Sequence, residues 1–130
     1  MVYWQKPLAY LINPKRKKMV NPTLPQRKDY ISGKVTQDEY YRSLYRESHI
    51  TITDKRIIDN AKKALTKGDV HLNRIPLRWW DAWAKGLMFY NGKTVAEAFH
   101  KQGDYPTLSG LVSMLKTAVL DAARGDLKRQ

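Results

Sequence analysis

Three histidines, twelve carboxylates and no cysteine are the side chains from which acid–base, nucleophilic or metal chemistry would have to come in this 130-residue chain. His49, His71 and His100 stand far apart. None has a second histidine four residues away, the spacing that sets two imidazoles on one helical face for a metal. Without thiolates, a zinc site would need histidine and carboxylates from separate elements. No serine nucleophile elbow, phosphate-cradling glycine loop or kinase signature occurs. The adjacent acids Asp38 and Glu39 fall in what reads as the first turn of a helix, where the dipole favours carboxylates. His71, Asn73 and Asp81 have two readings: turn and cap residues that satisfy backbone groups, or a small polar site. The expectation is a non-enzymatic protein with no metal and no cofactor.

Binding chemistry is better represented. Lys15, Arg16, Lys17 and Lys18 are four successive cations that repel one another and serve no core. Phosphate contact is their functional reading and solubility the plain one. The first 28 residues hold seven basic side chains and no acid, whereas the rest of the chain holds 17 basic and 12 acidic ones, so +7 of the net +12 lies in the head. The sign of that charge nominates a polyanionic partner. Arg27 and Lys28 extend the basic segment, and Arg42, Arg46, Arg56 and Lys63 follow on helical stretches interleaved with Tyr40, Tyr41 and Tyr45. Cations for phosphates and rings for sugars or bases are what a nucleic-acid face needs. The rival reading is a solvated helix face partly neutralised by Glu47, Asp54 and Asp59. Tyr41, Tyr45 and Trp79 are the candidate anchors for a protein partner, since aromatics dominate interface hot spots. In Trp79-Trp80-x-x-Trp83, the residues Trp80, Trp83 and Leu87 follow the core stripe of an amphipathic helix, which leaves Trp79 at its edge.

These residues have to be positioned by one domain. With 42% hydrophobic residues the chain can bury a core without disulfides. No window has the roughly 20 apolar residues of a membrane span, and no charged-then-apolar leader opens the chain, which reads as unprocessed at its start. A membrane-surface role for the lysines is disfavoured by the prolines among them. Pro7, Pro14, Pro22 and Pro25 give the head an irregular path. The division read from this is a basic arm over 1–31 and a helical domain over 32–130. Apolar residues dock 2–12 of the arm, and 13–28 form an exposed basic loop.

The fold class is all-α, a compact bundle of about five short helices. Thr36-x-x-Glu39 is a capping box opening a helix with Tyr40, Tyr41, Leu44 and Tyr45 on one face. A short alternating connector, His49 to Ile52, precedes a helix capped by Thr53, with Ile57, Ile58, Ala61, Ala64 and Leu65 as its stripe and Gly68 as its stop. Pro76 starts the tryptophan helix, which ends before Asn91-Gly92. Thr94-x-x-Glu97 opens a further short helix, and Thr107 caps the last, striped by Leu108, Leu111, Val112, Leu115, Val119 and Ala122.

The runs Glu39-Tyr40-Tyr41, His71-Leu72-Asn73-x-Ile75-Pro76-Leu77-x-x-Trp80-Asp81 and Gly103-Asp104-Tyr105-x-Thr107-Leu108-x-Gly110 resemble a group of small proteins of phages and prophage-bearing bacterial genomes. The resemblance spans roughly residues 32–124 and leaves out the arm. It implies a phage or mobile-element origin, and with it the cytoplasm of an infected or lysogenic bacterial host, but no particular activity. The functional expectation is nucleic-acid binding, DNA or RNA, through the arm and the adjacent helical face. The alternatives are an effector that docks on an acidic host or phage protein, such as a nuclease or polymerase, and a virion or assembly component.

Overall fold

The structure is a computed structural model and describes residues 24–129, so Lys15, Arg16, Lys17 and Lys18 lie outside the described residues. Among those described, five α-helices and no strand form the bundle: α1 (Arg27–Ile31), α2 (Gln37–Glu47), α3 (Lys55–Thr66), α4 (Leu77–Lys101) and α5 (Leu108–Lys128). The all-α class holds. The partition into helices departs from the sequence reading at α1 and in how the two halves of α4 are joined.

The first difference is α1, in the last part of the stretch read as an irregular arm. Asp29 accepts from the Gln26 backbone N–H at 3.2 Å, Gln26 Nε2 donates to the Lys101 carbonyl at 3.0 Å, and the Arg27 N–H donates to the Gln102 carbonyl at 2.8 Å. Tyr30 then stacks on Tyr40 at 5.1 Å. Residues 26–31, placed in the arm by the sequence reading, are therefore built into the packed helices.

The second point is α4, where the expected break at Asn91-Gly92 is present as a kink: Asn91 leaves helical geometry at φ −125° and ψ 21°, and two helical segments meet across it with no intervening loop. Thr94 does not form the expected capping box, and its hydroxyl donates to the Asn91 carbonyl at 3.1 Å. Both halves keep a buried face, Trp80 and Ala84 before the bend, Val95, Ala98 and Phe99 after it. The kink lets each segment bury its own face without a separate connecting loop.

Elsewhere local signals are obeyed with small shifts. The Thr36 box is complete: the Glu39 N–H donates to Thr36 Oγ1 at 3.1 Å and the Thr36 N–H to Glu39 Oε1 at 2.9 Å. The Thr36 N–H, joined by the Thr36 hydroxyl, which also donates to Oε1 at 2.9 Å, holds the Glu39 carboxyl below its ordinary range. The cap of α3 is Asp54 rather than Thr53; its Oδ1 accepts from the Arg56 N–H at 2.9 Å and puts a full negative charge at the positive end of the helix dipole. Pro76 is the N-cap of α4 rather than its first residue, so the helix starts one residue later than read. The His49 to Ile52 connector is not extended throughout, because His49 has φ +57° and turns the chain so that Ile50 enters the core.

Helix α5 is the centre of the bundle and packs against α2, α3 and α4. A single apolar stripe serves a helix with one buried side. With neighbours on several sides, α5 also buries Met114, Ala118 and Ala123, while Leu108 at its first turn is exposed. Gly110 makes the approach to α4 possible. A Cβ there would meet Phe99 Cε2 at 3.3 Å and Thr107 Oγ1 at 3.2 Å.

Candidate functional site

The cations read as nucleic-acid contacts separate into two groups. On the α2 and α5 side they are held by carboxylates. Arg42 donates through Nε and Nη2 to the two oxygens of Asp121, each at 2.9 Å, and through Nη1 to Asp38 at 2.6 Å. This two-pronged pair holds the Asp121 carboxyl below its ordinary value near 3.8. Tyr45 also donates its hydroxyl to Asp121. Arg27 pairs with buried Asp104 at 3.2 Å, and the Tyr40 hydroxyl donates to the same carboxylate at 2.7 Å. Burial, then that hydrogen bond, pushes the Tyr40 phenol well above its usual range. Four of the expected contact residues are thereby engaged within the fold. Arg27, still exposed, and Arg42, three-quarters buried, are each paired with a carboxylate. Tyr41 is only 8% exposed and packs edge-on against Tyr30 and Tyr40, so it offers no ring to a partner. Tyr45 is half-buried with its hydroxyl engaged by Asp121.

On the α3 side the cations are left exposed. Arg56, Asn60, Lys63 and Lys67 recur at spacings of four, three and four and share one face of the helix and its C-cap. Lys63 and Lys67 also sit at the C-terminal end of the helix, where the dipole favours cations. Opposite them the connector 68–76 brings in Arg74. Gly68 reverses the chain at φ +83°, and the Asp69 carboxylate accepts from the backbone N–H groups of Asn73 and Arg74, each at 3.0 Å. Those donors hold the Asp69 carboxyl below its ordinary range. Leu72 and Ile75 anchor the connector from beneath, at 1% and 6% exposure. The result is a cleft of about 310 Å³ lined by Lys63, Lys67, Arg74, Asn60, Ile75, Pro76 and Trp79, with no acid in its lining. Trp79 is 40% exposed; its neighbour Trp80 is buried and Trp83 half-buried, as the helical stripe requires.

Across the connector lies a second, more polar cleft of about 730 Å³. His71 and Asn73 line it, together with Gln37 and Asp38 from α2 and Ser113, Lys116, Thr117 and Arg124 from α5. Asp81, the third member of the polar site read from the sequence, is not in this lining. Lys116 Nζ lies 5.6 Å from the centre of the Trp80 ring. Lys28 and Arg46 are exposed; Arg46 shares a shallow groove with Glu39 and Glu47, which moderate its charge.

The difference between the two sides follows from how the carboxylates are used. Asp29, Glu39, Asp54 and Asp69 accept from backbone N–H groups, and Asp38, Glu47, Asp59, Asp104, Asp121 and Asp126 pair with cations. Among the described residues, Arg56, Lys63, Lys67 and Arg74 have no side-chain carboxylate within 4.0 Å. The sequence reading does not nominate Arg74, and the signal for it is the Gly68-Asp69 turn that returns the chain towards α3. Among the described residues no cluster of three His, Asp or Glu side chains is placed to hold a metal, and no helix is long and apolar enough to cross a membrane. Comparison with protein families, with curated proteins and with solved structures gives no match for this chain.

Proposed function

We propose that this is a small phage-type protein that binds nucleic acid, DNA or RNA, without catalysing a reaction, and that the α3 cleft is the contact on its folded body. The observation that carries this reading is the placement of three unpaired cations, Lys63, Lys67 and Arg74, around one accessible indole, Trp79, with no acid in the lining. Guanidinium and ammonium groups supply phosphate contacts, and the indole supplies a stacking surface. Arg56, on the same face of α3, and the cations at 15–18 extend the charge available to a polyanion. Contacts of this kind bind with strong salt dependence and little sequence preference.

The test is the salt dependence of oligonucleotide binding. Lys63, Lys67 and Arg74 changed together to Ala should make the slope of log affinity against log salt shallower by about 2 for a single strand or about 3 for a duplex. An unchanged slope and affinity would remove the cleft from the binding surface. A second reading, docking on an acidic protein, is favoured by one observation. Phe89 and Tyr90 are 81% and 82% exposed and pack edge to face at 5.0 Å, just before the α4 bend. Paired exposed aromatics are suited to anchoring a protein interface. Phe89→Ala with Tyr90→Ala separates the readings, because it leaves oligonucleotide binding intact if the α3 cleft is the site.

A further inference from the structure

The two clefts are each lined by part of the same connector. Arg74, Ile75 and Pro76 line the α3 cleft, while Val70, His71 and Asn73 line the polar cleft, so the connector is a ridge with a basic hollow on each side. We infer that a single strand of nucleic acid crosses this ridge, with a base against Trp79 and Lys63 and Lys67 on its phosphates in the first cleft, and Lys116 and Arg124 on the phosphates that follow in the second. The inference rests on the proposed nucleic-acid reading and narrows it to single strands.

Three features support it. The ridge is held firmly: Leu72 and Ile75 are buried beneath it and the Asp69 carboxylate ties two of its amides, so a ligand has to bend over it. A duplex is stiff over about 150 base pairs and does not fold across one connector, whereas a single strand does. Trp79, the aromatic ring in the lining among the described residues, is 40% exposed and so within reach of a base, and bases present a free face only outside a duplex. Finally, the acid of the second cleft does not cancel its cations. Asp38 is already bonded to Arg42 Nη1 at 2.6 Å, and among the described residues neither Lys116 nor Arg124 has a carboxylate within 4.0 Å.

Fluorescence anisotropy on the full chain tests this, using oligo-dT and oligo-U strands of about 12 nucleotides and a duplex of equal length, over about 50 to 200 mM salt. Single strands of at least one type should bind about tenfold more tightly than the duplex, the scale of one base stacked on an aromatic ring. Lys63→Ala with Lys67→Ala, and separately Lys116→Ala with Arg124→Ala, should each make the single-strand salt slope shallower by about 1.4. Because Lys116 lies over Trp80, Lys116→Gln and Arg124→Ala alone, each with a melting curve matching the parent, repeat the second measurement with the side-chain stem or the whole lysine retained. If the first pair lowers the slope and the second-cleft variants do not, the crossing is wrong and the α3 cleft stands as the site. Equal affinity for duplex and single strand overturns the inference as well. If none of the variants changes affinity or slope, both the crossing and the nucleic-acid reading of these clefts fall.

Discussion

On the α2 side of the bundle, Arg42 reaches across to Asp121 on α5; on the α3 side, Lys63 and Lys67 face another cation, Arg74, across a cleft. Both regions carry basic residues on amphipathic helices next to aromatic rings, and from sequence they look alike. The structure separates them by what lies opposite. Asp104 and Asp121, both from the C-terminal third of the chain, bind Arg27, Tyr40, Arg42 and Tyr45 and convert a basic aromatic stretch into an internal network. No equivalent carboxylate among the described residues reaches Lys63, Lys67 or Arg74. A cation is a candidate ligand contact where the fold has left it without a partner, and a structural element where the fold has supplied one.

The largest test of this contrast is Asp104→Ala. Asp104 is 8% exposed, and its loss strands the fully buried Tyr40 hydroxyl and removes the counter-charge of Arg27. Charge-assisted hydrogen bonds and orphaned buried donors of this kind are each worth about 1.5 to 3 kcal/mol, so a loss near 3 kcal/mol is expected by urea denaturation. Affinity for an oligonucleotide, measured well below the midpoint, should not change. A variant as stable as the parent would mean that this network does not hold the bundle together.

The features legible in the amino-acid sequence are those written in local chemistry. The Thr36 capping box, the Thr107 cap, the stop at Gly68 and the burial of Trp80 over Trp79 each depend on residues within one or two turns of each other. What is not legible depends on distant partners. Arg42 and Asp121 are 79 positions apart and Tyr40 and Asp104 are 64 apart, so no window can show that these groups neutralise each other. The width of the α5 core face is hidden for the same reason, since it follows from having three helices as neighbours. The α3 cleft lies between these cases. Sequence patterns nominate Lys63 and Trp79 separately, for phosphate and for a protein partner, and only the connector closed by Asp69 shows that they line one cleft together with Arg74.

An intermediate effect is expected from Asp121→Asn, and it depends on pH. The carboxyl of Asp121 is held below its ordinary value chiefly by the hydrogen bonds from Arg42. Its folded pKa therefore lies below its unfolded one, so its contribution to stability is complete above the unfolded value, near 3.8, and is lost as pH falls through the folded value. At neutral pH the variant should lose about 1 to 2 kcal/mol, because the pair is three-quarters buried and bidentate. Below about pH 4 the parent should weaken more steeply than the variant, bringing the two together. Parallel acid-unfolding curves would show that the Arg42 pair contributes nothing specific to folding.

The smallest effect on stability gives the sharpest contrast. Lys63→Ala with Lys67→Ala removes two cations from the C-terminal end of α3, where each complements the helix dipole by about 0.3 to 1 kcal/mol at low salt. It also places two alanines, the best helix former, near that end, and relieves the repulsion between these lysines and Arg74 across the cleft. The terms oppose one another, so a net change within about 0.5 kcal/mol is expected, shrinking further as salt is raised. The same substitutions should give the shallower salt slope in oligonucleotide binding derived above for this pair. Destabilisation of more than about 1.5 kcal/mol would show that these lysines support the fold in a way their exposure does not suggest. It would also erase the distinction between the two sides, because the α3 cations would then be structural like Arg27 and Arg42. A neutral effect on folding joined to a loss of binding is the combination that only an unpaired, ligand-facing cluster produces.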